Sequence, residues 1–316
     1  MTATTHPRSD AGLPSVTVVI PTRGRPELVR TAVESVVAQD YQGQVDCVVV
    51  HDQEEPDAGL AALGRPTRPV TVVRNDGRHG LAASRNAGLR RATGELVASC
   101  DDDDHWAPQK LRRQVELLAQ RPDMLVVGAG IRLLMPQGRV VVWLGPSEEV
   151  TAADLRRSRR KELHSSTLLM RREAFDRAGP YDEELPESYA EDYEWLLRAS
   201  RHGTIGVVRE PLASVKKDGQ SWFRERGEVI AAALEHMLAK HPELEVSRRG
   251  HARILGQIAF ARASSGDRRG GLRYAARALA RWPLAPQAGL ALVQVTSGVD
   301  PRLLLRSARV VGRGLS

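Results

Sequence analysis

Apolar and polar positions along the first hundred residues follow two alternating periods. Val16-Thr17-Val18-Val19-Ile20 is a nearly continuous β-branched run, the pattern of a strand buried on both faces. A loop, Pro21-Thr22-Arg23-Gly24-Arg25, follows. Pro26 then stands in a helix first turn, and Leu28, Ala32, Val33, Val36 and Val37 form an apolar stripe. Residues 45–50 make a second strand ending at His51-Asp52, and residues 70–73 a third. Leu81–Arg91 reads as a helix closed by Gly94, and Leu96–Ser99 as a fourth strand. This order predicts right-handed crossovers and a mostly parallel α/β sheet flanked by helices.

The second half is less regular. His105-Trp106-Ala107-Pro108 is expected to open a helix carrying Leu111, Val115 and Leu118. Residues 124–134 and 139–143 read as strands joined by a Pro136-Gln137-Gly138 turn, residues 166–170 and 204–208 as further strands, and 189–200 as a helix with Gly203 past its end. From Arg226 onward the pattern is helical, broken at Gly266-Asp267 and Trp282-Pro283. Ala259, Ala263, Ala275, Ala276 and Leu279 suit one helix pair of tetratricopeptide type. A solenoid needs about three such repeats, so the pair reads as an appendage. The expected organisation is a disordered tail over 1–14, an α/β domain over 15–225 and a basic helical region over 226–316.

Composition narrows the classes. A hydrophobic fraction of 41% supports a sizeable core, and the two cysteines, Cys47 and Cys100, cannot form a disulfide framework. Both fall in strand-like segments and read as buried thiols of a reducing compartment. The polar N-terminus has no signal-peptide apolar core, and no apolar run approaches the roughly 20 residues that span a bilayer. The expected location is cytoplasmic. Net charge is +7 and uneven: residues 247–316 hold thirteen Arg, no Lys, two Asp and no Glu, a local +11 that leaves −4 for the rest. The basic region is expected to meet an anionic surface at the inner face of a membrane; a solvated helix face is the alternative. With 4% aromatics and no stacking platforms among the basic residues, no nucleic-acid partner is expected.

The candidate chemistry lies at strand ends. Asp101-Asp102-Asp103-Asp104 follows the fourth strand, at the carboxyl edge where open α/β sheets bind ligands. Carboxylates are hard ligands for Mg²⁺ or Mn²⁺, which bind substrate phosphates through one or two of them. Alone, the run reads as a solvated loop. Thr22 and Asp52 end strands one and two, and Arg85 and Asn86 open the helix after strand three. Each has a structural reading alone, as cap, turn or surface charge; their convergence on one edge favours a ligand site.

Taken together these stretches resemble the family 2 glycosyltransferases of GT-A fold. The match runs through Val18-Val19-Ile20-Pro21-Thr22, Val48-Val49-Val50-His51-Asp52, Gly80-Leu81-Ala82-Ala83-Ser84-Arg85-Asn86-Ala87-Gly88, Gly94-Glu95-Leu96, the Asp run, Asp182-Glu183 and Glu191-Asp192, from about residue 15 to 221. The resemblance implies an inverting transferase that moves a sugar from a nucleoside-diphosphate sugar, a UDP-sugar foremost, to a hydroxyl of a glycan, lipid-linked or other envelope acceptor. It implies that Thr22, Asp52 and Arg85 hold the base, that Asp102 lies near the ribose, and that Asp103 with Asp101 meets Mn²⁺ or Mg²⁺. Asp192, or else Glu191, would be the catalytic base. His164-Ser165-Ser166-Thr167 would wall the pocket. Two departures stand out: His51 replaces a frequent Asp, and Val215-Lys216-Lys217-Asp218 lacks a His that often completes the metal shell. The alternatives are a sugar nucleotidyltransferase, whose Gly-rich phosphate loop Thr22-Arg23-Gly24-Arg25 is too short to supply, and a non-catalytic nucleotide-sugar binder.

Overall fold

The β-branched run at the start forms β1 (Val16–Thr22), buried along its whole length. Pro26 opens α1 (Pro26–Val37), whose Val29, Ala32, Val33, Val36 and Val37 face inward. β2 (Val45–Asp52), β3 (Val70–Asn75), α2 (Leu81–Arg91) and β4 (Leu96–Ser99) follow where the pattern puts them. The computed structural model describes residues 12–216 and 226–297. The tail before residue 12, Lys217 to Ser221, and the apolar run Leu303-Leu304-Leu305 lie outside the described residues.

The chain divides into two units. The first comprises Met1–Ala152, Arg160–Glu183 and Glu191–Asp218. It holds the sheet, completed by β5 (His105–Trp106), β6 (Val126–Leu134), β7 (Val140–Trp143), β8 (Glu149–Val150), β9 (Leu169–Arg171) and β10 (Ile205–Lys216). The order is β3-β2-β1-β4-β9-β6-β10-β5, with β7 on β6 and β8 on β10. The pairings β3-β2-β1-β4 and β6-β10 are parallel, and β9 joins the two blocks in antiparallel fashion. The sheet is therefore mixed, with its long pairings parallel. The side strands β5, β7 and β8 are antiparallel. α3 (Lys110–Gln120) packs Leu111, Val115 and Leu118 into the core that Val18, Ile20, Val33 and Val49 share.

Three expectations are corrected. His105-Trp106 does not open a helix; it pairs with Ser214 and Ala213 of β10. Ala107 precedes Pro108, which disfavours helical backbone at Ala107, and its N–H goes to Leu212 O, so α3 starts only at Lys110. Residues 165–167 form a short 3₁₀ turn and the strand begins at Leu169. There the Thr167 hydroxyl bonds Glu162 O and His164 O, and the His164 ring accepts the Ser166 N–H, local bonds that compete with a ladder. The last strand extends well beyond residue 208, to Lys216. The Pro136-Gln137-Gly138 turn does join the β6–β7 hairpin.

The second unit comprises Ala153–Arg159, Glu184–Ala190 and Gly219–Ser316. The short α4 (Ala152–Arg157) supplies its first segment. In the first unit, α5 (Arg172–Ala178) and α6 (Glu191–Ala199) flank the sheet. The second is built from α7 (Gly227–Lys240), α8 (Arg248–Ser264), α9 (Arg268–Arg281) and α10 (Pro286–Ser297). The breaks fall at Gly266-Asp267 and Trp282-Pro283. Ser247 and Asp267 cap α8 and α9 by accepting the N–H of Gly250 and Gly270. No described helix is long and apolar enough to cross a membrane.

Candidate functional site

β2, β1 and β4 are adjacent and parallel, so Asp52, Thr22 and the Asp run sit side by side at one sheet edge. Two strand spacings separate the outer members, roughly 10 Å. Asp52 is buried and fully engaged. Its Oδ1 accepts from Asn75 Nδ2 at 3.0 Å and Ser84 Oγ at 2.9 Å. Its Oδ2 accepts the Gly80 N–H at 3.1 Å and lies 2.5 Å from His79 Nδ1. Gly80 has φ of 122°, a backbone that side-chain-bearing residues avoid, and this turns its N–H onto Asp52 at the start of α2.

Thr22 Oγ1 donates to Asp102 Oδ2 at 2.8 Å. Arg25 spans Asp102 at 3.0 Å and Asp103 at 3.3 Å. Arg85, 1% exposed, is the hub. Its Nε donates to Ser99 Oγ at 3.1 Å, its Nη2 to Asp101, and its Nη1 to Glu191. The guanidinium also lies 5.7 Å from the Tyr181 ring centroid. Burial works against its charge, but Asp101, Tyr181 and Asp192 outweigh that and hold it more firmly protonated than a free arginine. Asn86 ties α2 to Glu183 at 2.7 Å and to Tyr181 O at 2.9 Å.

The structure thus ties Arg85, Asp101 and Glu191 into one ion-pair group, and Thr22, Asp102 and, through Arg25, Asp103 into a second. Asp52 belongs to a neighbouring cluster with Asn75, His79 and Ser84. Asp192 is buried beside Glu191 at the start of α6, where its Oδ1 accepts the Tyr193 N–H at 2.7 Å. Just before α6, Glu187, Ser188 and Ala190 hold φ of 49°, 53° and 63°. Non-glycine residues in that region cost about 1–3 kcal/mol each and gather at functional loops.

Among the described residues, Asp101, Asp104 and His164 form a potential metal cluster, with ligand atoms all within 4.8 Å of one another. Neither Asp104 nor His164 was singled out as a ligand from the sequence. Asp104 Oδ2 accepts from Ser166 Oγ at 2.6 Å and lies 3.6 Å from His164 Nδ1, while Ser165 Oγ donates to Asp101 Oδ2 at 2.7 Å. The signal available was the polar run 164–167 before an apolar strand. Asp103 falls outside this cluster and pairs with Arg25 instead.

The charges favour a cation. Burial raises the Asp104 carboxyl well above its usual range, and Asp101 adds to it. Burial, then Asp101 and Asp102, push Asp103 up to about 6, with Arg25 opposing. Asp102 is raised chiefly by burial. Burial would also raise Asp101, but Arg85, His164 and Ser165 bring it below its ordinary value. Crowded carboxylates that resist ionising are relieved by a divalent ion. Two carboxylate oxygens and an imidazole nitrogen form a donor set suited to Mn²⁺.

The Asp103 shift carries a stability prediction. Its folded value lies above its unfolded one, so its contribution is present below about pH 4 and lost as pH rises through about 6. Asp103→Asn removes that loss, worth on the order of 2 kcal/mol. The variant should melt above wild type near neutral pH in metal-free buffer and level with it in acid. Equal melting temperatures of the two proteins throughout that range would refute the assignment.

The profile of the family described as Glycosyl transferase family 2 matches residues 17–179. The chain belongs to glycosyl transferase family 2. Its fold is that of GT-A glycosyltransferases. The staphylococcal TarS 1–349 structure with UDP-GlcNAc has a TM-score of 0.57 at 19% identity, covering 94% of this chain and 92% of that one. Mannosyltransferase PcManGT from Pyrobaculum calidifontis, in complex with GDP-Man and Mn²⁺, has a TM-score of 0.55 at 21% identity, covering 94% and 86%. By sequence, the family 2 chain is 24% identical over 216 residues to the amylovoran biosynthesis glycosyltransferase AmsE of Erwinia amylovora, covering 67% of this chain and 79% of AmsE. It matches an uncharacterised glycosyltransferase of Rickettsia prowazekii at 24% over 204 residues, covering 63% of each. This chain therefore spans less than two thirds of that relative.

Proposed function

We propose that this family 2 chain is an inverting glycosyltransferase. It would take a sugar from a nucleoside-diphosphate donor, UDP-sugars foremost, and pass it to a hydroxyl of an envelope glycan or lipid-linked acceptor. One observation carries the reading: the Asp run, Arg85, Glu191 and the adjoining Asp192 meet at the carboxyl edge of β4. The bound UDP-GlcNAc and GDP-Man of the two neighbours, and the polysaccharide pathway in the AmsE name, support the donor and acceptor classes.

In the reaction, Asp192 takes the proton of the acceptor hydroxyl. The acceptor oxygen attacks the anomeric carbon from the face opposite the diphosphate, and the bond from that carbon to the diphosphate oxygen breaks. No second nucleophilic carboxylate is needed, so the anomeric centre inverts. Glu191 pairs with Arg85, and the reading assigns the base to the adjoining Asp192. Thr22 and Asp102, bonded to each other, offer the ribose an ordered polar edge, and the Asp52 cluster borders the base. Asp101, Asp104 and His164, with Asp103 alongside, would hold Mn²⁺ or Mg²⁺, which supplies charge for the leaving diphosphate.

Calorimetric titration of UDP tests this. Binding should strengthen by about tenfold or more when Mn²⁺ is added and fall back when EDTA strips it. UDP affinity indifferent to both would remove the metal from the reading. UDP binding no tighter than that of unrelated nucleotides would remove the UDP-sugar preference.

The reading includes reversible membrane attachment through the basic region 247–316. Arginine near an anionic leaflet is worth about 1 kcal/mol each. Arg268, Arg269, Arg273 and Arg277 of α9 are exposed.

A further inference from the structure

The second unit holds a cavity of about 910 Å³ that the donor chemistry does not use. Arg157 contributes to its wall, as do Arg249 and Arg253, one turn apart on α8. The 282–285 turn and the first turn of α10 complete it. Among the described residues that line it there are three guanidinium groups and no carboxylate.

The packing that builds this wall is specific. A Cβ on Gly250 would lie 1.9 Å from the Arg156 carbonyl oxygen. The α8 backbone therefore presses directly on the 153–159 segment, and Arg157 is held at the same wall as Arg249 and Arg253. The Arg249 guanidinium lies 5.9 Å from the Trp282 ring centroid. The lining also includes exposed apolar side chains: Trp282 is 36% and Leu284 79% exposed. Gln287, 8% exposed, lines the wall at the α10 N-terminus, with its Oε1 lacking any hydrogen-bond partner.

Arg157, Arg249 and Arg253 gather three guanidinium groups on the wall of one cavity, a concentration of positive charge that favours an anion. Arginine forks match phosphate oxygens two at a time, and a helix N-terminus adds to the attraction. An exposed Leu and Trp in the same lining call for apolar surface on the ligand. We infer that this cavity binds a phosphate ester carrying an apolar chain. Such an ester belongs either to a lipid-linked acceptor or to a bilayer phospholipid, and the recognition chemistry is shared.

Octyl phosphate titrated calorimetrically into the full chain tests this, with inorganic phosphate and the neutral octyl glucoside as controls. Octyl phosphate should bind about tenfold or more tighter than either, and more weakly as salt rises. The double change Arg249→Gln with Arg253→Gln should weaken it by about tenfold while UDP affinity and melting temperature hold. Leu284→Asp, at an exposed position that folding does not depend on, should weaken octyl phosphate more than inorganic phosphate. Phosphatidylglycerol vesicles that displace octyl phosphate assign the phospholipid source; failure to displace assigns the lipid-linked acceptor. Three results overturn the inference: inorganic phosphate binding as well as octyl phosphate, octyl glucoside binding as well, or arginine variants binding unchanged. Because UDP is titrated separately, a failure here is distinguishable from a failure of the donor site.

Discussion

Arg85→Met should abolish release of UDP from a UDP-sugar and lower the melting temperature together. The side chain is buried between Asp101 and Glu191, and its removal leaves both carboxylates without their cation. Breaking a buried ion pair from one side costs about 3–5 kcal/mol. Arg85→Lys should rescue little, because a single ammonium cannot span Ser99, Asp101 and Glu191 at once. Adding Glu191→Gln to Arg85→Met should recover part of the stability and none of the turnover. Turnover near wild type in Arg85→Lys would show that the fork is not needed, and with it the hub reading fails.

Asp192→Asn should cut kcat by about 10²–10⁴ while leaving UDP affinity nearly unchanged, since it removes basicity and keeps shape. Glu191→Gln should behave differently. Its carboxylate is the partner of Arg85, so the loss should appear first as a lower melting temperature and a disturbed donor site. Steady-state release of UDP, with calorimetric UDP titration beside it, separates the two. Comparable loss of donor affinity in Asp192→Asn would make Asp192 structural. A Glu191→Gln variant that keeps its stability and loses only kcat would exchange the roles.

Much of the first unit was legible because its signals are local. β1 and β2 are β-branched runs buried on both faces, and α1 carries an apolar stripe, so each declares its period within a dozen residues. The strand–helix alternation then forces parallel neighbours, which puts Thr22, Asp52 and the Asp run on one edge before any contact is known. The helix after the Asp run starts later than its apolar pattern predicts because Pro108 disfavours helical backbone at the residue before it, while Trp106 donates to Ser35 Oγ and Ser166 O. The strand ending at Arg171 is shorter than its pattern predicts because the Thr167 hydroxyl bonds the carbonyls of Glu162 and His164 and holds residues 165–167 in a turn.

The sequence by itself determined the αβ order, the strand-edge location of the candidate site residues and the helical character of the C-terminal region, since periodicity and strand ends are properties of short windows. Only the tertiary structure decided who pairs with whom. Arg85 and Glu191 lie 106 positions apart, Thr22 and Asp102 80, and Ser166 and Asp104 62. Those separations are closed by the strand order β1-β4-β9 and by α6, and no local pattern encodes them. The tertiary structure likewise put His164 beside Asp101 and Asp104, set Glu191 on Arg85, and buried Lys110, whose Nζ lies 3.8 Å from the Trp106 ring centroid and whose pKa burial lowers to about 7. Charge and polarity are readable along a chain; the desolvation that gives them their chemistry depends on what the fold packs around them.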